Sequence, residues 1–196
     1  MSTIDLIQEV EAVDLSDYEY DFGTDNPALY VGTYHKYNCG SLFGMWLDLT
    51  KFDSLDEFYN ACRYLHKDEN DPEFMFQDYS GFPRCLYSEC GMDESKFELI
   101  QAMADMDEDE KDAFRVYLES FGHSRSDCRE IQNFKDRYCG RWDSKKEYAE
   151  HYAWELGYLD EMPEHLRSYF DFDAFARDLF FDYYFDEETG FVFSQL

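Results

Sequence analysis

The fourteen residues His66–Tyr79, HKDENDPEFMFQDY, place a run of acids directly before a hydrophobic segment. Asp71-Pro72 favours a break in the chain, because proline fixes φ and lacks an N–H donor. The aromatic segment FMFQDY that follows is typical of a strand, with Phe74 and Phe76 on its core face. We expect the acids before the strand to lie at the edge of the sheet, facing outward, and leave Asp78 open; they are Asp68, Glu69, Asp71 and Glu73.

The residues upstream of this stretch complete a small β-β-α-β unit. LYVGTY (29–34) and FGMWLDL (43–49) have strand composition, and the turn-rich KYNCG (36–40) lies between them. Ser54 with Glu57 three residues later is a capping box, which predicts the start of a helix. The inward face of that helix is predicted to carry Phe58, Ala61, Cys62 and Leu65.

The residues downstream are predicted to be helical first, and then to form a second mixed unit. A helix begins near Asp93, a second ends at Gly122, and a third covers residues 126–135. Apolar stripes mark the first two; they are Phe97, Ile100, Met103 and Ala104, then Phe114, Tyr117, Leu118 and Phe121.

The last unit starts with RYCGRW (137–142) as a strand and a second capping box at Ser144 and Glu147. GFVFSQL (190–196) is predicted as the terminal strand. Two helix faces lie between them; they are Tyr148, Tyr152 and Leu156, then Phe172, Phe175, Ala176, Leu179 and Tyr183.

These elements predict an α+β fold in three small domains. A domain of β-sheet plus helix would span residues 27–91, a helical domain residues 92–135, and a domain of β-sheet plus helices residues 136–196. Residues 1–26 are predicted as an acidic extension that is mobile or loosely docked, with a short helix near Ile4–Val13.

The chain has 45 acids against 17 bases, a net charge of −28. Such acidity is typical of disordered chains, but a content of 44% hydrophobic and 20% aromatic residues can bury enough apolar surface to fold. The extension and the three domains carry −8, −5, −6 and −9, so the charge belongs to the whole surface. Adaptation to salt would not explain the aromatics, whereas a basic partner explains the charge. Its sign opposes direct binding of nucleic acid or of an anionic membrane.

Nothing in the sequence indicates export or membrane insertion. The first residues, MSTIDLIQEVEAVDLSDYEYD, contain no basic region and no long apolar stretch. No segment approaches the roughly 18 apolar residues of a membrane span. The six cysteines show no C-x-x-C spacing, which favours reduced thiols in the core. We therefore expect a cytoplasmic protein.

The acids do not match a metal or catalytic motif. Asp105–Asp109 opens like a calcium loop, but the sixth and twelfth positions are Glu110 and Val116 instead of the required glycine and glutamate. The five histidines form no zinc pattern, and no nucleophile elbow, P-loop or dinucleotide fingerprint is present. We predict no cofactor and no enzymatic activity, although paired carboxylates of a hydrolase could not be singled out among so many acids.

The spacing of the acids suggests that the charge itself is the function. On a helix, residues three or four apart lie about 5–6 Å from each other, comparable to successive phosphates on a DNA strand. Repeated like charges destabilise a helix, and the chain does not interleave lysines, so we interpret these rows as a partner-binding surface together with the four acids above. The rows are Asp105, Asp109 and Asp112, extended by Glu108 and Glu119, and Asp178, Asp182 and Asp186.

Three blocks of the chain resemble the ArdA antirestriction proteins of mobile genetic elements. They are LYVGTYHKYNCGSLFGMWLDL (29–49), DEFYNACRYLHKDENDPEFMFQDY (56–79) and FKDRYCGRWDSKKEYAEHYAWEL (134–156). The resemblance runs from about Pro27 to the C-terminus, and DPEFMFQDY is its most specific part. It leaves the acidic extension outside the common core, and two roles stay open for its acids: to lengthen the mimic or to keep the chain soluble.

The resemblance implies a non-catalytic DNA mimic that occupies the DNA-binding groove of Type I restriction-modification enzymes, at the methyltransferase core. It implies an elongated, curved chain of three small domains that pairs as a homodimer. Inhibition would block restriction and, more weakly, modification. An alternative from the charge alone is an acidic chaperone or sequestering module for other basic DNA-binding proteins.

Overall fold

The computed structural model describes residues 12–121 and 129–195. Over these residues the chain has eight α-helices and two three-stranded antiparallel sheets, which confirms the predicted α+β class. Two compact units are present: the residues up to Lys111 together with 129–131, and Asp112–Phe121 together with Gln132 onward. The division into three domains and the elongated, curved shape stay predictions.

The elements follow one another in short segments, none longer than thirteen residues in the described chain. In chain order they are β1 (Ala28–Thr33), α1 (Tyr34–Asn38), β2 (Met45–Asp48), α2 (Leu55–Leu65), β3 (Phe74–Ser80), α3 (Glu94–Ala104), α4 (Glu108–Ser120), α5 (Arg129–Arg137), β4 (Tyr138–Arg141), α6 (Lys145–Glu155), α7 (Glu164–Arg167), α8 (Phe172–Leu179), β5 (Tyr183–Phe185) and β6 (Phe191–Ser194).

The first sheet has the order β2-β1-β3, with β1 antiparallel to both neighbours. Leu29 and Val31 on β1 and Phe76 on β3 are fully buried, as alternating side chains of a half-buried sheet should be. Helix α2 covers this face through Phe58, whose ring lies 5.7 Å from that of Phe76. The three strands and the helix predicted for this unit are therefore confirmed, although Phe74 is only partly buried.

The two predicted capping boxes are present and have the same geometry. The Glu57 N–H donates to Ser54 Oγ at 3.2 Å, and the Glu147 N–H donates to Ser144 Oγ at 3.1 Å. In both, the glutamate carboxylate reaches one residue further back than the usual box. It accepts from the N–H of Asp53 at 2.7 Å and of Asp143 at 2.8 Å. Free donors at both helix starts are thereby satisfied.

Residues 14–26, which we call the arm, are packed against the first sheet. The Tyr18 ring stacks on Phe52 at 4.3 Å, and its hydroxyl donates to Glu57 Oε1 at 2.6 Å. Glu19 bridges to Leu47 on the outer edge of β2. The prediction of a mobile or loosely docked extension is wrong for these residues, because their tyrosines bury apolar surface and the arm covers the β2 edge. The predicted helix near Ile4–Val13 lies largely outside the described residues.

The other end of the arm is fixed by a close approach of two backbones. Gly81, just after β3, has φ of +76°, a conformation that favours glycine. A Cβ at this position would collide with the carbonyl oxygen of Asn26. The Asn26 side chain also donates to Asp48 Oδ2 at 2.9 Å. The arm therefore joins the sheet through its backbone as well as its side chains.

The segment KYNCG, predicted as a turn, begins as the short helix α1. Thr33 at the end of β1 caps it, accepting from the Lys36 N–H through its side-chain oxygen at 3.2 Å. This cap was not part of the expected pattern, and it fixes the backbone N–H of Lys36 at the start of the helix.

The middle helices agree with their predicted stripes. Phe97, Ile100 and Met103 are buried on α3, and Phe114, Tyr117 and Leu118 are buried on α4. The third predicted helix is observed as α5, which ends two residues past its predicted end; its predicted first residues, 126–128, and Gly122 lie outside the described residues.

The second sheet has the order β4-β6-β5, with the last strand in the centre. The predicted strands at 137–142 and 190–196 are confirmed, and Phe191, Val192 and Phe193 are buried. Two predicted inward positions are wrong. Leu156 is 55% exposed because α6 ends before it, and Tyr183 belongs to β5 rather than to the preceding helix.

No helix in the described part of the chain combines the length and the apolar character needed to cross a membrane.

Candidate partner-binding acidic surface

The acids before β3 line one groove. Helix α2 ends at Leu65 with His66 as its C-cap, and the chain then turns toward β3 through the four acids. Their side chains line a cavity of 540 Å³, which also has Tyr34 and Asn38 from α1 in its wall. The structure therefore brings together Asp68, Glu69, Asp71 and Glu73.

Two of these four acids share a lysine. The Lys36 ammonium lies 2.7 Å from Asp68 Oδ1 and 3.2 Å from Glu69 Oε1, over the ring of Phe43 at 4.7 Å from its centroid. The Lys36 hydrogen bond holds the pKa of Asp68 below its usual range. The Glu69 side chain is only 14% exposed, so the expectation that all four acids face outward is wrong for Glu69.

His66 is the buried member of this lysine cluster. Its ring is fully buried, and Lys36 Nζ lies 2.9 Å from its Nδ1. An ammonium only donates, so Nδ1 accepts and Nε2 carries the proton, which it shares with the Val31 carbonyl at 3.3 Å. Burial and the Lys36 charge lower the pKa of His66, and the ring is neutral at pH 7.

The same cluster has the composition of a metal site. The ligand atoms of His66, Asp68 and Glu69 lie within 4.8 Å of one another, the one such group found among the described residues. The Lys36 ammonium is within 3.2 Å of an acceptor atom on each of them. The protein thus supplies its own cation at this position, and the residues do not fit an added metal ion.

Asp71 and Glu73 are the groove acids that lie outside the lysine cluster. Both are exposed, and neither takes part in an ion pair among the residues that the structure describes. The adjoining 320 Å³ cavity shares Tyr34 and Glu73 with the first. The Tyr34 hydroxyl donates to Glu89 Oε1 at 2.9 Å and lies 3.3 Å from Cys90 Sγ. These contacts raise the pKa of Tyr34, so the phenol stays neutral beside the acids.

The predicted row on the middle helix is only partly helical. Asp105 is the C-cap of α3 and does not lie on α4, so the row from Asp105 to Asp112 is wrong as a single helical face. The remaining members are on α4, and all five acids are exposed; they are Asp105, Glu108, Asp109, Asp112 and Glu119.

The interpretation that lysines are not interleaved with these acids is also wrong. Lys111 Nζ lies 2.9 Å from Glu108 Oε1, and Arg115 Nη1 lies 2.9 Å from Asp112 Oδ1. Both pairs are three residues apart on the exposed side of the helix, where such pairs contribute little. Asp105, Asp109 and Glu119 are the acids of this group for which the described residues show no ion pair.

The third predicted row is not a row. Asp178 lies on α8, but that helix ends at Leu179, and Asp182 follows it before β5. Asp186 is in the turn between β5 and β6, where its carboxylate accepts from the Thr189 N–H at 2.9 Å and the Thr189 hydroxyl at 2.6 Å. Asp178 and Asp182 are exposed, whereas Asp186 is partly buried and shapes the turn.

Sequence reasoning missed Lys36 as part of this surface and left open whether the acids of the N-terminal extension belong to it. Lys36 is the one Lys or Arg between His35 and Phe43. A single lysine is a weak signal in the sequence, and it becomes informative only when the fold brings His66 to it. The arm contributes five more exposed acids; they are Asp14, Asp17, Glu19, Asp21 and Asp25.

The described part of the chain is an α+β fold that displays exposed carboxylates on both of its units. The family model of the antirestriction protein ArdA matches residues 29–193 of this chain, which confirms the resemblance seen in its sequence. The chain belongs to the ArdA antirestriction protein family. No curated protein matches it. Family membership supports an antirestriction function, in a class of non-enzymatic inhibitors of restriction-modification.

Proposed function

We propose that this protein is a DNA mimic that occupies the DNA-binding groove of a Type I restriction-modification enzyme, at its methyltransferase core. It blocks restriction and, more weakly, modification, and it acts without catalysis in the cytoplasm. The observation that carries the proposal is the display of exposed carboxylates on fixed elements of both units. Family membership supports the antirestriction role.

The physical reason is that fixed carboxylates can replace phosphates at low entropic cost. The groove acids follow a helix that ends in the buried Lys36–His66 cluster, so the loop is held in position before a partner arrives. Outward acids such as Asp71 and Glu73 then offer charge to arginine and lysine side chains. Long-range attraction steers association and weakens as salt screens it.

The amount of charge sets an upper limit for the mimicked footprint. Duplex DNA carries one charge per about 1.7 Å of its axis, so the net charge of −28 corresponds to at most about 14 base pairs. We also propose that the protein pairs as a homodimer, which doubles this limit. A dimer would therefore present a surface comparable to the DNA that a large enzyme covers.

A competition experiment tests the proposal. The purified protein is titrated into a Type I methyltransferase core bound to fluorescent duplex DNA that contains its recognition site. We expect displacement of the duplex at low salt and a steep loss of competition at high salt. Failure to displace the duplex at low salt contradicts the proposal.

A charge-neutralisation series separates this proposal from the two alternatives. Replacing acids such as Asp71 and Glu73 by their amides should weaken competition gradually, since no single charge dominates. Complete loss after one substitution would instead indicate a catalytic acid. Equal binding to an unrelated basic DNA-binding protein, measured in parallel, would indicate a general sequestering module.

A further inference from the structure

The turn at the centre of the arm holds an exposed aromatic ring. The Thr24 N–H and hydroxyl donate to the Asp21 carbonyl at 3.0 and 2.8 Å, which closes a tight turn over residues 21–24. Phe22 lies at its tip and is 74% exposed. Aromatic side chains that stay in water on a folded surface are candidates for interface anchors.

The neighbours of Phe22 fix its position. Its ring contacts Tyr20 at 5.1 Å and Trp46 at 6.0 Å, both edge to face. Tyr20 is buried, and its hydroxyl donates to the Thr24 carbonyl at 2.7 Å. Trp46 in turn packs on Tyr30 of β1 at 5.7 Å. The aromatic patch made of Phe22, Trp46 and Tyr30 is therefore supported by the sheet, and Phe22 is its exposed end.

The charge around this aromatic patch is not compensated. All five acids of the arm are exposed, and among the described residues none of them takes part in an ion pair. The base that reaches the arm, Lys51, donates to the backbone carbonyl of Glu19 at 2.7 Å and not to a carboxylate. This differs from the groove acids Asp68 and Glu69, which share Lys36.

We propose that the aromatic patch on the arm is a docking surface for an arginine-bearing segment of a basic protein. A guanidinium stacks on an aromatic face and donates to carboxylates at the same time, whereas an ammonium acts as a point charge. The net charge of −28 selects a cationic occupant. Phe22 and the five arm acids lie outside residues 29–193, which match the family, whereas Tyr30 and Trp46 lie within them. The identity of the partner, a restriction-modification enzyme, rests on the proposed function; the arginine preference does not.

Two peptides of equal charge test this inference. Deca-arginine and deca-lysine are titrated separately into the full chain, and the dissociation constants and the Trp46 indole N–H shift are measured by NMR. We expect deca-arginine to bind roughly two- to fivefold more tightly, the size of an exposed cation–π contact, and to shift the Trp46 signal. Equal binding of the two peptides overturns the inference.

Matched variants locate the preference. Phe22→Ala should abolish the difference between the peptides, and Phe22→Leu should abolish it too, because leucine keeps apolar area but has no aromatic face. Phe181→Ala in the second unit, where the ring is 78% exposed, should keep it. Circular dichroism and thermal melting check that the variants fold. An arginine preference that survives in both Phe22 variants overturns the assignment to the arm.

The competition experiment distinguishes this inference from the proposed function. If the wild-type protein displaces duplex DNA from the methyltransferase core and Phe22→Ala does so equally well, the proposed function stands and the docking role of Phe22 in that complex fails. If the wild-type protein does not displace the duplex but the peptides still show the arginine preference, the proposed function fails and the surface stands.

Discussion

The two units contain the same junction between an edge strand and a helix, placed in sheets of different strand order. In the first unit β2 leads through Asp53-Ser54 into α2, and in the second β4 leads through Asp143-Ser144 into α6. Both helices have eleven residues. The central strand comes first in one unit, as β1, and last in the other, as β6.

The comparison shows that the junction is specified locally and the sheet is not. Each capping serine and glutamate satisfies N–H groups within five residues of sequence, so the junction depends on local sequence in both units. The central strand can precede or follow it, because antiparallel pairing requires only that the strand return. The two strand orders are related by a cyclic rearrangement, with β1 of the first unit corresponding to β6 of the second.

The first prediction concerns the buried aromatic position four residues after each capping serine. This position is Phe58 in α2, fully buried, and Tyr148 in α6, 5% exposed. Phe58→Ala removes the side chain that joins α2 to Phe76, and we expect a loss of about 3–5 kcal/mol in the free energy of unfolding. Urea denaturation measures it. A loss below about 1 kcal/mol would mean that Phe58 does not hold the core of the first unit.

A difference between the units is how their lysines are placed. Lys36 is 13% exposed and surrounded by acceptors, whereas Lys146 is 52% exposed and paired with Asp173 alone. Lys36→Met should cost roughly 2–3 kcal/mol, because it leaves Glu69 buried without its counter-charge. Lys146→Met should not change the urea midpoint measurably, since exposed pairs contribute little. Equal effects of the two substitutions would contradict the structural role of the Lys36 cluster.

The sequence predicted the class of fold and most element positions for a physical reason, but not α1, α7 or β5. Caps, turn residues and apolar periodicity act within about ten residues, and the strands and helices that depend on them are found where expected. The failures occur where two local signals compete. The apolar spacing of α8 continues to Tyr183, but the aromatic run of β5 also favours a strand, and the distant pairing of Tyr184 with Phe193 decides. The Asp178–Asp186 row failed for that reason.

The acids of the candidate site could be predicted from the sequence, but the lysine that pairs with two of them could not. Asp68, Glu69, Asp71 and Glu73 are close in sequence, so their shared groove follows from the loop that holds them. Lys36 lies thirty residues from His66, and only the fold brings the two together at 2.9 Å. A count of acids therefore overstates the unpaired charge of this region, because Lys36 already pairs with Asp68 and Glu69.

The two capping serines are expected to contribute equally to the free energy of unfolding. Ser54→Ala and Ser144→Ala each remove the acceptor of one N–H at the start of an eleven-residue helix. We expect each to cost about 1 kcal/mol, with the two losses agreeing within a few tenths, because the serine and glutamate contacts have the same geometry in both. Urea denaturation of each variant checks it. A cost at one junction alone would show that the two junctions are alike in form but not in energy.

The smallest expected effect is a pH dependence of stability that comes from His66 in the first unit. Because burial lowers the pKa of His66 in the fold, the unfolded chain binds its proton at higher pH. The contribution to stability is therefore present above the ordinary value of 6.5 and is lost as the pH falls through it. Between pH 7.5 and 6.0 one such group changes the free energy of unfolding by less than about 0.8 kcal/mol. Urea midpoints at both values measure this change against His66→Gln, which has no titrating ring. If the variant and the wild type lose equal stability over this interval, another group carries the pH dependence and His66 is not its source.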